Sequence, residues 1–180
     1  MHDTQTIFNE FCIELGRKGF KPDGLSIMKL IYFAQGWSLA IFDQLIIREP
    51  IIIGKYGPEI DSIIESDWSR NININTNKLL LNNDTDKKTL SIIKKIVSEY
   101  GNFNVYYLCQ LSSTAGTPWN LLKDNQKIGT AIPNDIIKNY YKEKIQDSNL
   151  EVFRKYENLW RTFDIEKFYF KIKEDFLDKQ

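Results

Sequence analysis

Ser26-Ile27-Met28-Lys29-Leu30-Ile31-Tyr32-Phe33-Ala34-Gln35-Gly36-Trp37-Ser38-Leu39-Ala40-Ile41 is the stretch that decides the fold. At helical spacing Ile27, Leu30, Ile31, Ala34, Trp37 and Ile41 make one stripe, and Met28, Phe33, Leu39 and Ala40 cover most of the remaining circumference. A helix apolar nearly all round has no face to give to water, so its neighbours must wrap it. The spacing predicts a central core helix over 26–41, with Ser26 as its N-cap and Lys29 as its only charge.

The segments on either side supply the wrapping. Ile7, Phe8, Phe11, Cys12 and Leu15 share one face of a helix expected from Thr4 to Leu15, and Pro22-Asp23-Gly24 reads as the turn that follows. From Leu45 to Tyr56 isoleucines gather around Pro50, which suits a short β hairpin or an extended arm. Gly57-Pro58 reads as the stop of that segment, with Pro58 opening a helix through Ile60, Ile63 and Ile64. Residues 71–83 are polar and asparagine-rich, a loop pattern. Asp84 or Thr85 is placed to cap a helix with the stripe Leu90, Ile93, Val97 and Tyr100, stopped by Gly101. A helix from Asn104 to Leu111 ends in the small-residue run 112–116. Thr117-Pro118-Trp119 can start another, and Pro133 opens one through Ile136, Ile137, Tyr140, Tyr141 and Ile145. The last forty or so residues carry two more aromatic stripes, one with Asp164 as its cap. The fold class expected is mainly α, a compact bundle around the buried 26–41 helix. The expected domain covers 1–146, and 147–180 forms a C-terminal helical extension packed on it.

Composition narrows the function. Lys plus Arg equals Asp plus Glu at 24 each, so there is no global basic field for phosphates, and nucleic-acid binding would need a local patch. With 42% hydrophobic and 27% charged residues over 180 positions, the chain reads as one ordinary globular domain that folds without disulfides or metal. The only histidine is His2, and Cys12 and Cys109 lack CxxC neighbours; they are expected to be buried free thiols. With so few imidazoles and thiolates, neither a zinc site nor a Cys–His nucleophile can be assembled. No GxSxG, Walker-type loop or GxGxxG is present, and the glycines of Gly54-Lys55-Tyr56-Gly57-Pro58 are misplaced for a phosphate cradle. Asp61 and Glu65, one turn apart near Glu59, read as solvated carboxylates at a helix start. No catalytic residue and no cofactor are expected. The chain begins with acids rather than a basic leader, and no stretch reads as a membrane span, so a cytoplasmic location is expected.

Two aromatic residues fall outside the helical stripes. Trp119, after a proline among small polar residues, can pin its loop to the core or present an anchor to a partner; Tyr56 sits between two turn-forming segments. Phe168-Tyr169-Phe170-Lys171 offers a partner or nucleic-acid surface or, read as an amphipathic helix, completes the bundle. So much aromatic surface in the tail points to packing on the domain or to a homodimer.

Three pieces together resemble a known family. Met28-Lys29-Leu30-Ile31-Tyr32-Phe33-Ala34-Gln35-Gly36-Trp37 is similar to the "KLLYYAQGW" helix of the Panacea, or SocA-like, phage-associated antitoxin domain. Glu49-Pro50-Ile51 followed by Lys55-Tyr56-Gly57-Pro58 resembles its "EPIEAWKYGPV" segment, and Tyr100-Gly101 with Gly116-Thr117-Pro118-Trp119 resembles its "YG" and "GTPW" endings. The match runs from about Gly24 to Tyr141. The sequence departs from the family where a Thr-His pair often precedes GTPW: Ser112, Ser113 and Thr114 stand there. The resemblance implies a helical antitoxin domain that neutralises a cognate toxin by direct binding, and a SocA-like relative hands its toxin to a bacterial protease. Tyr56, Gly57, Pro58, Thr117 and Trp119 are the expected partner-binding residues. A DNA-binding regulator of a phage or toxin–antitoxin operon is the alternative, disfavoured by the balanced charge.

Overall fold

A computed structural model describes residues 1–21, 23–65, 81 and 86–147. Among them lie seven helices and one small antiparallel sheet, so the chain is mainly α. The helices are α1 (Thr4–Arg17), α2 (Gly24–Phe42), α3 (Asp61–Glu65), α4 (Lys87–Tyr100), α5 (Val105–Ser113), α6 (Pro118–Leu122) and α7 (Asn134–Asp147). The strands are β1 (Ile52–Gly54) and β2 (Gly57–Glu59).

The all-round apolar helix is the centre of the molecule. α2 packs against α1, α4, α5, α7 and β2, and every residue from Ser26 to Leu39 is buried. Fully burying one Leu, Ile or Phe contributes about 1.5–3 kcal/mol, which explains why the wrapping elements gather here. The helix starts two residues earlier than the stripe suggested. Asp23, not Ser26, is the N-cap: its Oδ1 accepts from the Ser26 amide at 2.8 Å. The cap acts on the backbone ahead of the stripe, where hydrophobic periodicity is blind to it. By length and composition α2 also qualifies as a membrane span, contrary to the reading that no stretch does. Here 78% of that apolar window is buried inside the fold.

Polar side chains of α2 reach out to fix what surrounds it. Gln35 Oε1 accepts from the amides of Ile46 (2.8 Å) and Ile47 (3.3 Å), anchoring the chain after the helix. The ring of Tyr141 on α7 lies so close to Gly36 that any Cβ there would clash with it, and it meets Trp37 edge-on at 4.8 Å. Burial pushes the Tyr141 and Tyr32 hydroxyls well above the usual phenol range, and the Cys12 thiol up to about 12.

The hairpin lies further along the chain than expected. It spans β1 and β2, with Lys55-Tyr56 as the turn, and Pro58 sits inside the second strand instead of opening a helix. Ile53 faces Pro58 in the register. Residues at such a position in an antiparallel pair turn their polar groups away from each other's strand. The Ile53 amide donates to Thr130 O and its carbonyl accepts from Gly129 N, both at 2.8 Å. Pro58 has no amide to place, so an edge strand accepts it without loss. α3 then starts at Asp61, held by Glu49: one carboxylate oxygen accepts from the Ser62 amide at 2.8 Å, the other from the hydroxyls of Thr4 and Ser62.

The remaining helices follow their stripes. Asn104 caps α5 and Thr117 caps α6, each accepting from an amide three residues on. α4 ends at Gly101, and its N-cap position is Asp86, whose carboxylate stands 3.4 Å from His2 Nε2. Asp61 and Glu65 are exposed, as read, whereas Cys109 is half-buried and not a fully buried thiol like Cys12. The expected caps Asp84 and Thr85, most of the 71–83 loop and the 148–180 tail lie outside the described residues. Leu81 is the exception within that loop: it is buried, and its amide donates to Glu10 Oε1 at 2.8 Å.

Candidate functional site

Lys29 is where the core meets the hairpin. Its side chain is fully buried, which costs free energy unless the charge finds partners. Lys29 Nζ donates to Pro58 O at 2.8 Å, the carbonyl that β2 turns away from β1. Burial lowers the ammonium pKa, and the nearby Cys109 and Glu59 groups oppose that shift.

Gly57 stands above this contact. Lys55 and Tyr56 keep negative φ, and Gly57 takes the positive one, +128°, as the glycine after a tight turn often must. A Cβ at Gly57 would lie 3.2 Å from both Lys29 Nζ and Ser112 Oγ. Ser112 and Ser113 turn their hydroxyls onto Cys109 O, at 2.9 and 2.8 Å, so the segment in which the sequence departs from its resemblance packs directly under the turn.

Trp119 fixes the other side. Its indole N–H donates to Gly54 O at 2.9 Å across 65 residues of sequence. The tryptophan is aimed by Thr117, which caps α6 and whose hydroxyl donates to Thr114 O at 2.8 Å, and by Pro118 in the first turn. Of the two roles open to Trp119, pinning a loop is therefore realised, and the pinned element is the hairpin. The ring is only half-buried, with the Lys123 ammonium 5.3 Å from its centre.

The five residues expected to bind a partner thus converge on one place and divide by depth. Gly57, Pro58 and Thr117 are buried supports, and Trp119 is a half-buried brace. Tyr56 stands out of the turn, 66% exposed, with Lys55 Nζ 5.1 Å from its ring centre. Sequence reasoning missed Lys29 as part of this site. Its signal was present: a single charge in a helix otherwise apolar on every side requires a buried acceptor.

A family model described as antitoxin SocA-like, Panacea domain, matches residues 27–120, just over half of the 180-residue chain. The chain belongs to this SocA-like Panacea antitoxin family. Comparison with curated proteins returned no match, and neither did comparison with solved structures. The Panacea region begins within α2 and ends on α6, so it contains both the buried Lys29 and the Trp119 brace. Its motif residues act here as structure: Lys29 on the turn, Gln35 on the 46–47 segment, Gly36 under Tyr141, Glu49 on α3, Trp119 on Gly54. Among the described residues no group of three or more His, Cys, Asp or Glu gathers as metal ligands would.

Proposed function

We propose that this Panacea-family chain neutralises a cognate toxin by direct protein–protein binding, with the Lys55-Tyr56 turn at the centre of the contact. The observation that carries the reading is the contrast at the hairpin. Residues 51–54, 57, 58 and 60 are buried and the backbone is tied down from three directions, yet Tyr56 at its tip is 66% exposed. A rigid aromatic side chain on a fixed support loses little entropy on binding, which is what an interface anchor requires. Neutralisation by binding also needs no acid–base pair, in keeping with the role of buried Lys29 as a support for the turn.

The test is co-expression with the product of the adjacent gene. If that product is toxic alone, and harmless and co-purified when this chain is present, the reading holds. If rescue disappears in a host lacking a cytoplasmic protease, the chain acts as an adaptor that hands the toxin over. A harmless neighbour that does not co-purify overturns the proposal and makes promoter binding by the chain the next experiment.

A further inference from the structure

We propose that the partner segment received at the hairpin tip is acidic and apolar, a stretch of protein bearing carboxylates among hydrophobic side chains; this rests on the partner-binding reading above. Three segments meet at the end of β1. Gly54 O takes the Trp119 indole N–H at 2.9 Å, and Ile53 O takes the Gly129 amide at 2.8 Å. Lys55-Tyr56 continue from Gly54, Trp119 to Lys123 continue from the indole that bonds it, and Lys127-Ile128 lead into Gly129, so the three segments border the same end of β1. There, Lys55 stands over Tyr56 at 5.1 Å and Lys123 over Trp119 at 5.3 Å, both lysines exposed. Lys127 is exposed beside Ile128, which shows 70% of its surface to solvent.

Charge decides the complement. The chain as a whole is neutral, with 24 charges of each sign, yet this surface carries three exposed lysines. The acids closest to them along the chain are the exposed Asp124 and the half-buried Glu59, whose carboxylate packs against Gly54, so the lysines outnumber the acids. An ammonium resting over a ring keeps N–H groups free for a carboxylate, while the ring offers apolar area beside it. An exposed isoleucine and an acid on the same surface suit a protein segment better than a phosphate backbone, which needs cations without an apolar rim.

The experiment uses the full chain and three fluorescent probes: a soluble peptide with glutamates among leucines and tyrosines, the same peptide with lysine for every glutamate, and oligothymidine. The acidic peptide is expected to bind, to weaken with added salt, and to lose about tenfold or more in affinity with K55E/K123E/K127E, as interface charges do. The triple variant K55M/K123M/K127M should lose less, because it removes attraction without adding repulsion. Thermal melts of both variants verify that the fold is kept. The proposal is overturned if the acidic peptide binds no better than the lysine peptide, if charge reversal leaves its affinity unchanged, or if oligothymidine binds more tightly. These probes require no toxin, so failure of the adjacent gene product to bind would count against the antitoxin reading alone.

Discussion

Lys29 Nζ and Pro58 O, 29 residues apart in sequence, form a 2.8 Å hydrogen bond that joins the central helix to the hairpin that presents Tyr56. The lysine gives up hydration to make it, and the proline contributes a carbonyl that β1 cannot use. Each residue is anomalous by itself, a charge in the core and a proline in a strand, and each accounts for the other.

Replacing Lys29 by methionine preserves most of the volume and leaves Pro58 O buried without its donor. An orphaned buried acceptor costs about 1–3 kcal/mol, so Lys29→Met should lower stability by that order in urea denaturation. It should also speed hydrogen exchange in the hairpin more than in α4. Unchanged exchange at the hairpin would mean the bond does not hold the turn.

Gly57→Ala meets two obstacles, the positive φ and the crowding by Lys29 and Ser112. Strain of this kind costs about 1–3 kcal/mol, and the expected outcome is a lower melting temperature together with weaker partner binding. A melting temperature equal to that of the parent chain would contradict the turn geometry.

Trp119→Phe keeps an aromatic ring and removes the indole donor to Gly54 O. A single hydrogen bond is worth about 0.5–1.5 kcal/mol net, so the fold should survive with a modest stability loss while partner affinity drops as the tip loosens. Partner affinity equal to the parent's would separate the brace from the binding surface.

Alkaline pH should unfold the protein. Burial raises Cys12 from 9.0 and Tyr140 from 10.0, each to about 12, and lifts Tyr141 and Tyr32 further. These groups stay protonated in the folded chain after the unfolded chain has lost the protons. Their contribution is complete below the unfolded values and is lost as pH rises from about 9 toward about 12. Lys29, shifted down, acts in the opposite direction, since the unfolded chain holds its proton longer, but it is one group against four. Melting curves across this range should show stability falling, with tyrosine ionisation following the unfolding transition. Stability that rises with pH there would show that the phenols are not buried as described.

How much of this was legible in the sequence follows from which forces leave a periodic trace. α1, α2, α4, α5 and α7 are readable because burial of a helix face repeats along the chain, and Asn104, where the pattern begins the fifth helix, is its N-cap. The hairpin was displaced because its defining event is not periodic. Pro58 breaks strand patterns unless its strand is an edge, and that depends on Lys29 and the 129–130 segment, distant in sequence. The stripe points to Ser26 as the cap because it starts beside it, while Asp23 acts from outside the stripe. The sequence offers the Tyr56 and Trp119 segments as parts of one partner surface, and the Trp119–Gly54 bond is the contact that joins them. The lysines over the two rings left no trace in spacing, because their neighbourhood is made by tertiary contact.

The most direct test of the central claim is a calorimetric titration of the Tyr56→Ala chain with the purified product of the adjacent gene. Because Tyr56 is exposed, the substitution should change folding stability by no more than about 0.5 kcal/mol. The account predicts that the parent chain binds and that Tyr56→Ala, folded and equally stable, binds at least about tenfold more weakly, as loss of an interface anchor does. A Tyr56→Ala chain that binds as tightly as the parent would contradict it.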